Sequence, residues 1–286
     1  MAMQRGRFYI GMPQWSSKHW FNTVYPPATP SSEYLYHYSR VFNAVEGNTT
    51  FYSLPSIDTV TTWDEQTEDG FHFNFKLPKS VTHEAGLQHC QQQTSDYFKR
   101  LAPLADKLGV FMLQLPANFS PEQLPLLQQF LTTLPQGLKY SVEVRHPAFF
   151  QKGEAEKRLN RMLFEAGVDR VMFDSRALFA CDDLSEEIIE AKNKKPRLPV
   201  HAVALANNPM IRFIGHPQIS DNGTFFAPWC QKISAWLAEG RDVSVFFHTA
   251  DNRLAPQLAM QMLSTIEWQP QDFKLQLLQV PQQRLF

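Results

Sequence analysis

The chain predicts an α/β fold: a (β/α)8 TIM-type barrel in a single domain, with an inserted helical loop after the sixth strand. Three observations predict it. Strand-like apolar runs alternate with helix-like segments eight times. The 286 residues slightly exceed the ~250 typical of such barrels. Five of the clearest runs also end in charge at their C-terminal edge: Val45-Glu46, Phe75-Lys76, Val142-Glu143-Val144-Arg145, Phe173-Asp174 and Phe247-His248. In a parallel barrel the functional face is built from strand C-termini and the loops that follow, so one pattern gives both a fold and a site.

The expected strands are 7–11, 44–46, 71–76, 109–114, 140–145, 170–174, 210–214 and 242–248. The helix-like segments between them are 32–41, 56–65, 90–107, 121–133, 154–166, 184–195, 224–238 and 256–266. Their ends carry ordinary signals: Ser120 precedes Pro121 at a first turn, and Gly109, Gly167 and Gly240 fall at or just past helix ends. In the third strand Phe71, Phe73 and Phe75 alternate with His72, Asn74 and Lys76, and a period of two sends these sets to opposite faces. The phenylalanines pack under the helices and the polar set points into the barrel. The same parity puts Glu143 and Arg145 on one face, where a core ion pair is the alternative to a ligand site. The insertion, about 181–209, opens its helix with Asp182, Asp183, Glu186 and Glu187 and closes it with Lys192, Lys194, Lys195 and Arg197. That order complements the helix dipole, and the basic end, on the functional face, is also a candidate contact for a phosphate backbone. The domain covers 1–268, and 269–286 form a Gln-rich tail. A doubly wound sheet is the alternative architecture, but the first strand-helix turn lacks the GxGxxG fingerprint.

Composition narrows the function classes. Lys plus Arg number 27 against 28 Asp plus Glu, and the sequence pI is near 6.8, so a global basic field for gripping nucleic acid is absent. Cys90, Cys181 and Cys230 lie far apart with no CxxC pair, which speaks against a disulfide framework or a cysteine zinc site and fits a reduced, cytoplasmic protein. No stretch approaches the ~18 apolar residues of a membrane span, and no membrane partner is expected.

Several motifs together resemble the YecE-like family of bacterial proteins, in its YecE branch. They are Gly11-Met12-Pro13-Gln14-Trp15-Ser16, Val45-Glu46-Gly47-Asn48-Thr49-Thr50-Phe51-Tyr52, Lys76-Leu77-Pro78 with Thr82-His83, Leu113-Gln114-Leu115-Pro116, Val142-Glu143-Val144-Arg145-His146-Pro147 and Asp174-Ser175-Arg176. The resemblance implies a TIM-type barrel of unknown function. Many members carry Gly-x-Ser-Gly-Trp at the start and Arg-x-His-Gly in the seventh strand. Here Gly11, Trp15, Arg212 and Gly215 survive, but Ile214 stands where the family histidine would be, leaving His216 as a candidate substitute. The eighth strand departs too, with Phe247-His248-Thr249-Ala250-Asp251-Asn252 in place of an asparagine pair.

The expected site gathers Glu46, Glu143 and Asp174 with Lys76, Arg145 and Arg212. A mixed cluster of this kind suits a small anionic or sugar-like ligand, the cations holding phosphate or carboxylate while a carboxylate moves a proton. Glu143 is the first candidate for acid/base work, with Glu46 or Asp174 as second carboxylate. Lys76 is either a counter-ion or a desolvated amine nucleophile. Trp15, Asn48 and Tyr52 are candidates to line the mouth, and Gln114, His83, His146, Arg176, His248 and Asp251 complete the substrate-facing set. No cofactor is expected. A divalent metal is an alternative because histidines and carboxylates share the strand ends, but no HxH or HxxxH spacing occurs and cations crowd the cluster.

The tail ends Gln282-Gln283-Arg284-Leu285-Phe286, and its Gln-x-x-Leu-Phe resembles the peptide that docks bacterial DNA-metabolism proteins into the sliding clamp through Gln282, Leu285 and Phe286. A terminal strand folded back on the barrel explains the same residues. Two function classes follow: an enzyme acting on a small anionic or sugar-phosphate-like ligand at the mouth, or a DNA-maintenance or nuclease-like protein tethered by its tail.

Overall fold

The computed structural model describes residues 5–266 and 277–278, so Gln282, Leu285 and Phe286 lie outside the described residues. The order of elements is β1 (Phe8–Gly11), α1 (Tyr34–Tyr38), β2 (Ala44–Gly47), α2 (Thr49–Tyr52), α3 (Ile57–Gln66), β3 (His72–Phe75), α4 (Gln91–Leu101), β4 (Val110–Gln114), α5 (Leu124–Thr132), β5 (Lys139–Glu143), α6 (Glu154–Glu165), β6 (Asp169–Arg170), β7 (Met172–Asp174), α7 (Arg176–Ala180), α8 (Glu186–Lys194), β8 (Met210–Ile214), α9 (Gly223–Ala238), β9 (Val243–His248) and α10 (Ala255–Thr265). The result is a single-domain mixed α/β fold with three parallel sheets, ordered β1-β9-β8-β7, β2-β3 and β4-β5-β6.

The sheets meet at seams that combine side-chain and backbone hydrogen bonds. Between β1 and β2, Asn43 Oδ1 accepts from Ile10 N at 2.8 Å while its Nδ2 donates to Phe8 O at 2.8 Å, so one amide stands in for a missing rung of the ladder. Tyr38 OH accepts from Met12 N and donates to Ala44 O across the same seam. A Cβ on Gly11 would lie 2.0 Å from Ala44 O, so only glycine permits this approach. Between β3 and β4, Asn74 Oδ1 accepts from Val110 N at 2.7 Å, beside isolated bridges Phe73↔Leu108 and Lys76↔Met112.

The expected strand 170–174 is two short strands instead. Asp169 and Arg170 pair with β5, whereas Met172 to Asp174 pair with β8, and Val171 N donates to Val142 O between them. A strand leaving one neighbour for the next is the local form of the stagger that strongly twisted parallel strands require. Expected helix 90–107 stops at Leu101, because Pro103 lacks an amide hydrogen and Ala105 takes φ 35° in the tight turns that follow. Expected helix 32–41 shrinks to α1 behind a 3-10 turn, Ser31–Glu33.

Alternation in β3 resolves as expected on its outer face. Phe73 and Phe75 stack with ring centroids 5.5 Å apart, and Trp63 of α3 stacks on both. On the inner face Tyr9, Ala44, Val110, Met112, Val171, Met210 and Phe246 form an apolar cluster separate from the helix-side core. A step of two residues along four strands then leads from Ala44 to Glu46, Met112 to Gln114, Met210 to Arg212 and Phe246 to His248, replacing apolar groups by polar ones. After α8 the segment 195–209 crosses from the strand ends to the strand starts: Ser175 Oγ donates to Pro196 O, and the Asp169 carboxylate accepts from the backbone of Leu205, Ala206 and Asn208.

Asn43→Ala orphans a backbone donor and a backbone acceptor at the β1-β2 seam, so unfolding free energy should drop by about 1–3 kcal/mol in urea titration. A change below roughly 0.5 kcal/mol would show that the seam does not depend on this amide.

Candidate functional site

Arg212 of β8 is the centre of the inner-face cluster. Its Nε and Nη2 donate to Glu46 Oε2 and Oε1 at 2.7 and 2.9 Å, and its Nη1 donates to Glu143 Oε2 at 2.6 Å. Glu143 receives a second cation on its other oxygen, Arg145 Nε at 2.7 Å. Lys76 Nζ donates to Gln114 Oε1 at 2.8 Å and stands 3.7 Å from Glu46 Oε1. His248 Nε2 lies 3.7 Å from Glu46 Oε2, buried and beyond hydrogen-bond length. Glu46, Glu143, Arg212, Lys76, Gln114, Arg145 and His248 are therefore one connected group, built from β2, β4, β5, β8, β9 and the residues just past β3 and β5.

Two backbone anchors fix Lys76 just past β3: Thr50 Oγ1 of α2 and Tyr97 OH of α4 donate to its carbonyl at 2.9 and 3.0 Å. The Phe51 ring centroid lies 5.7 Å from Nζ, and the Phe173 ring lies 5.2 Å from the Arg212 guanidinium. Below the cluster is the apolar inner layer, so these charges have little water to lean on.

That environment sorts the ionisable groups. Burial raises the Glu46 carboxyl, but Arg212, Lys76 and His248 together carry it well below the usual range. Glu143 follows the same balance, with Arg212 and Arg145 bringing it to about 2. Burial and the Arg212 charge lower Lys76 to about 7, against the opposing pull of Glu46 and Glu143. Burial holds His248 at about 3 although Glu46 favours its charged form. Both carboxylates are ionised near neutral pH, His248 is neutral, and Lys76 is poised between its two states.

Sequence reasoning assigned Lys195 only to a basic helix end. The residue following α8 is half-buried, and burial and Arg212 bring its amine to about 8, with Glu46, Glu143 and Arg145 also acting on it. Its basic neighbours are engaged elsewhere: Lys192 donates to Cys181 O, Lys194 pairs with Glu190, and Arg197 sits over the Phe179 ring. Strand periodicity carried no signal for Lys195, because a loop delivers it.

Other candidates stand apart from the cluster. Asp174 shares parity with Met172, so it points to the helix layer, accepting from Trp229 Nε1 at 2.7 Å and holding Arg176 through both carboxylate oxygens. Trp15 packs edge-on against Trp63 and Phe73 on the helix side. Asn48 donates to Pro13 O, and His146 accepts from Ala148 N at the start of its own turn. Asp251 accepts from Arg253 N, and His216 accepts from Gln218 N, each within its own loop. Tyr52 is 80% exposed on the outer rim. His83, hydrogen-bonded to Thr82 and edge-on to Phe51, borders the cluster; burial first, then Arg145, Lys79 and Lys76, lower its pKa.

Parallel α/β architecture with a buried ionic cluster at strand C-termini defines a class, and comparison with known proteins narrows it. The family model described as "Protein of unknown function DUF72" matches residues 9–284, so the chain belongs to the DUF72 family. UPF0759 protein YecE of Escherichia coli K12 is 46% identical over 250 residues, covering 87% of this chain and 89% of that protein. UPF0759 protein YunF of Bacillus subtilis is 30% identical over 117 residues, 39% of this chain and 40% of that protein. Crystal structures of DUF72 family proteins from Thermotoga maritima and Enterococcus faecalis superpose with TM-scores of 0.71 and 0.70 at 21% and 18% identity. They cover 92% and 93% of this chain and 100% of theirs, and at that identity they support the fold alone. Among the described residues no helix is long and apolar enough to cross a membrane.

His248 sets a pH dependence. Its folded value near 3 lies below its ordinary 6.5, so between these values unfolding takes up a proton and stability falls as pH falls. His248→Asn should reduce the slope of unfolding free energy against pH in that window by about one proton, roughly 1.4 kcal/mol per pH unit. An unchanged slope in denaturant titrations at several pH values would mean His248 is charged in the fold.

Proposed function

We propose that the chain is an enzyme acting on a small anionic ligand, bearing phosphate or carboxylate, at the strand-end mouth of a closed (β/α)8 barrel. Seam hydrogen bonds at Asn43, Tyr38 and Asn74 and the parallel pairing of every strand support the closed form. The charge balance carries the functional reading: Arg212 and Arg145 act on both Lys76 and Lys195 beside only two carboxylates, Glu46 and Glu143. Lysines buried beside these guanidinium groups hold their protons poorly, and an anion among them supplies the missing charge.

The acid/base assignment follows from matched pKa values. A catalytic proton carrier works best with a pKa near the working pH, and Glu143 at about 2 has no proton to give or reason to take one. We therefore assign the reactive role to Lys76 at about 7, with Glu143 and Glu46 as fixed counter-charges. Excess positive charge works against a divalent cation here, and among the described residues no group of three or more His, Cys, Asp or Glu is arranged to hold one. The small-ligand reading is preferred to a nucleic-acid one because Lys192, Lys194 and Arg197 are engaged within the chain while Lys195 is half-buried and feels the charges of the cluster. Cytoplasmic location accompanies this reading, with Cys90, Cys181 and Cys230 as buried thiols.

Sulfate, whose charge is constant across neutral pH, serves as the probe in isothermal titration. Affinity should fall as pH rises through about 7 and about 8, where Lys76 and then Lys195 lose their protons. Arg145→Ala should weaken binding about tenfold or more, the worth of one charge-assisted contact. No sulfate binding, or binding indifferent to both pH and Arg145, would end the anion reading.

A further inference from the structure

We infer that Lys76 is a carbonyl-capturing amine, and that the anionic substrate is an aldehyde or ketone with which its Nζ forms an imine. The inference rests on the anion reading above and adds the reacting group and bond. Geometry separates this buried amine from two half-buried lysines: Lys107 Nζ lies 2.8 Å from Asp64 Oδ1 and Lys139 Nζ lies 3.2 Å from Asp242 Oδ2, both ordinary ion pairs. Lys76 has instead a neutral amide, Gln114, at hydrogen-bond distance. Its nearest carboxylate, Glu46, is held bidentately by Arg212 and stays at 3.7 Å.

An amine tied into a short ion pair keeps its proton and has no lone pair to offer; one leaning on an amide in a cationic, desolvated site can offer it. The value of about 7 agrees with this geometry. Thr50 and Tyr97 both donate to the Lys76 carbonyl, so the nucleophile's backbone is fixed before substrate arrives. Arg145, whose side chain is 24% exposed at the open side of the cluster, and Lys195 offer charge to the anionic group of the substrate.

The step balances with the amine, the substrate and solvent. Attack forms the C–N bond, the carbonyl π pair moves to oxygen, and that oxygen takes the proton the nitrogen sheds, giving a neutral carbinolamine. The carbinolamine hydroxyl then takes a proton from solvent, water departs, and the nitrogen lone pair closes a protonated imine. Glu46, 3.7 Å from Nζ, faces the new positive charge. Neutral His248 on the far side of Glu46 adds no competing cation.

The test uses the full chain, pyridoxal 5′-phosphate as an anionic aldehyde probe, sodium borohydride to reduce any imine, and peptide mapping by mass spectrometry. The expected result is a dominant reduced adduct on Lys76, suppressed by sulfate. Lys76→Arg, which keeps the charge but removes the nucleophile, should lower total label about tenfold. Sulfate binding by calorimetry with no adduct on Lys76 would overturn the imine while leaving the anion site standing. Neither sulfate binding nor adduct would remove both. Label on Lys195 or on surface lysines with Lys76 unmodified, or label on Lys76 indifferent to sulfate, also overturns the proposal.

Discussion

One guanidinium holds the polar layer together. Arg212 reaches Glu46, 166 residues away in sequence, and Glu143, 69 residues away, and all three side chains are almost wholly buried. Removing one partner from such a network leaves an unpaired charge in a poorly hydrated place, at a cost of about 3–5 kcal/mol. Each carboxylate therefore fixes the other's position through Arg212, and the strands bearing them must converge. A buried ionic network of this sort is a weak source of net stability, but it specifies one arrangement, because sliding any of β2, β5 or β8 by a single residue would turn its charge into the helix layer.

Chemistry and packing are separated by two residues. The inner apolar layer ends at Ala44, Met112, Met210 and Phe246, and the next inward positions carry Glu46, Gln114, Arg212 and His248. The lower layer keeps water from beneath, so each charge feels its neighbours strongly. This is why Glu143 is driven to about 2 and Lys76 to about 7 a few ångströms apart.

Much of this arrangement was legible in the chain. Alternating Phe and polar residues in β3 announced which face met the helices, and the parity of Glu143 and Arg145 put them together as the structure does. Asp174 was harder to read. Its run also ends in charge, but a hydrophobic neighbour on each side of a short strand leaves the facing ambiguous, and pairing with β8 turned it toward Trp229. Trp15 was read toward the mouth, while Trp63 and Phe73 offered it an apolar slot on the helix side. Short helices α2 and α7, four and five residues long, carry too little periodicity to register.

The sequence alone determined the alternation of strands and helices, the outward phenylalanines and the set of charges at the strand ends, because periodicity and composition are local properties of a chain. Only the tertiary structure decided which of those charges meet. It tied Glu46 and Glu143 to Arg212, left Lys76 beside an amide and brought Lys195 in from a connecting segment. The reason is physical: an ion's partners and its access to water depend on distances between residues remote along the chain, and no local pattern encodes those distances.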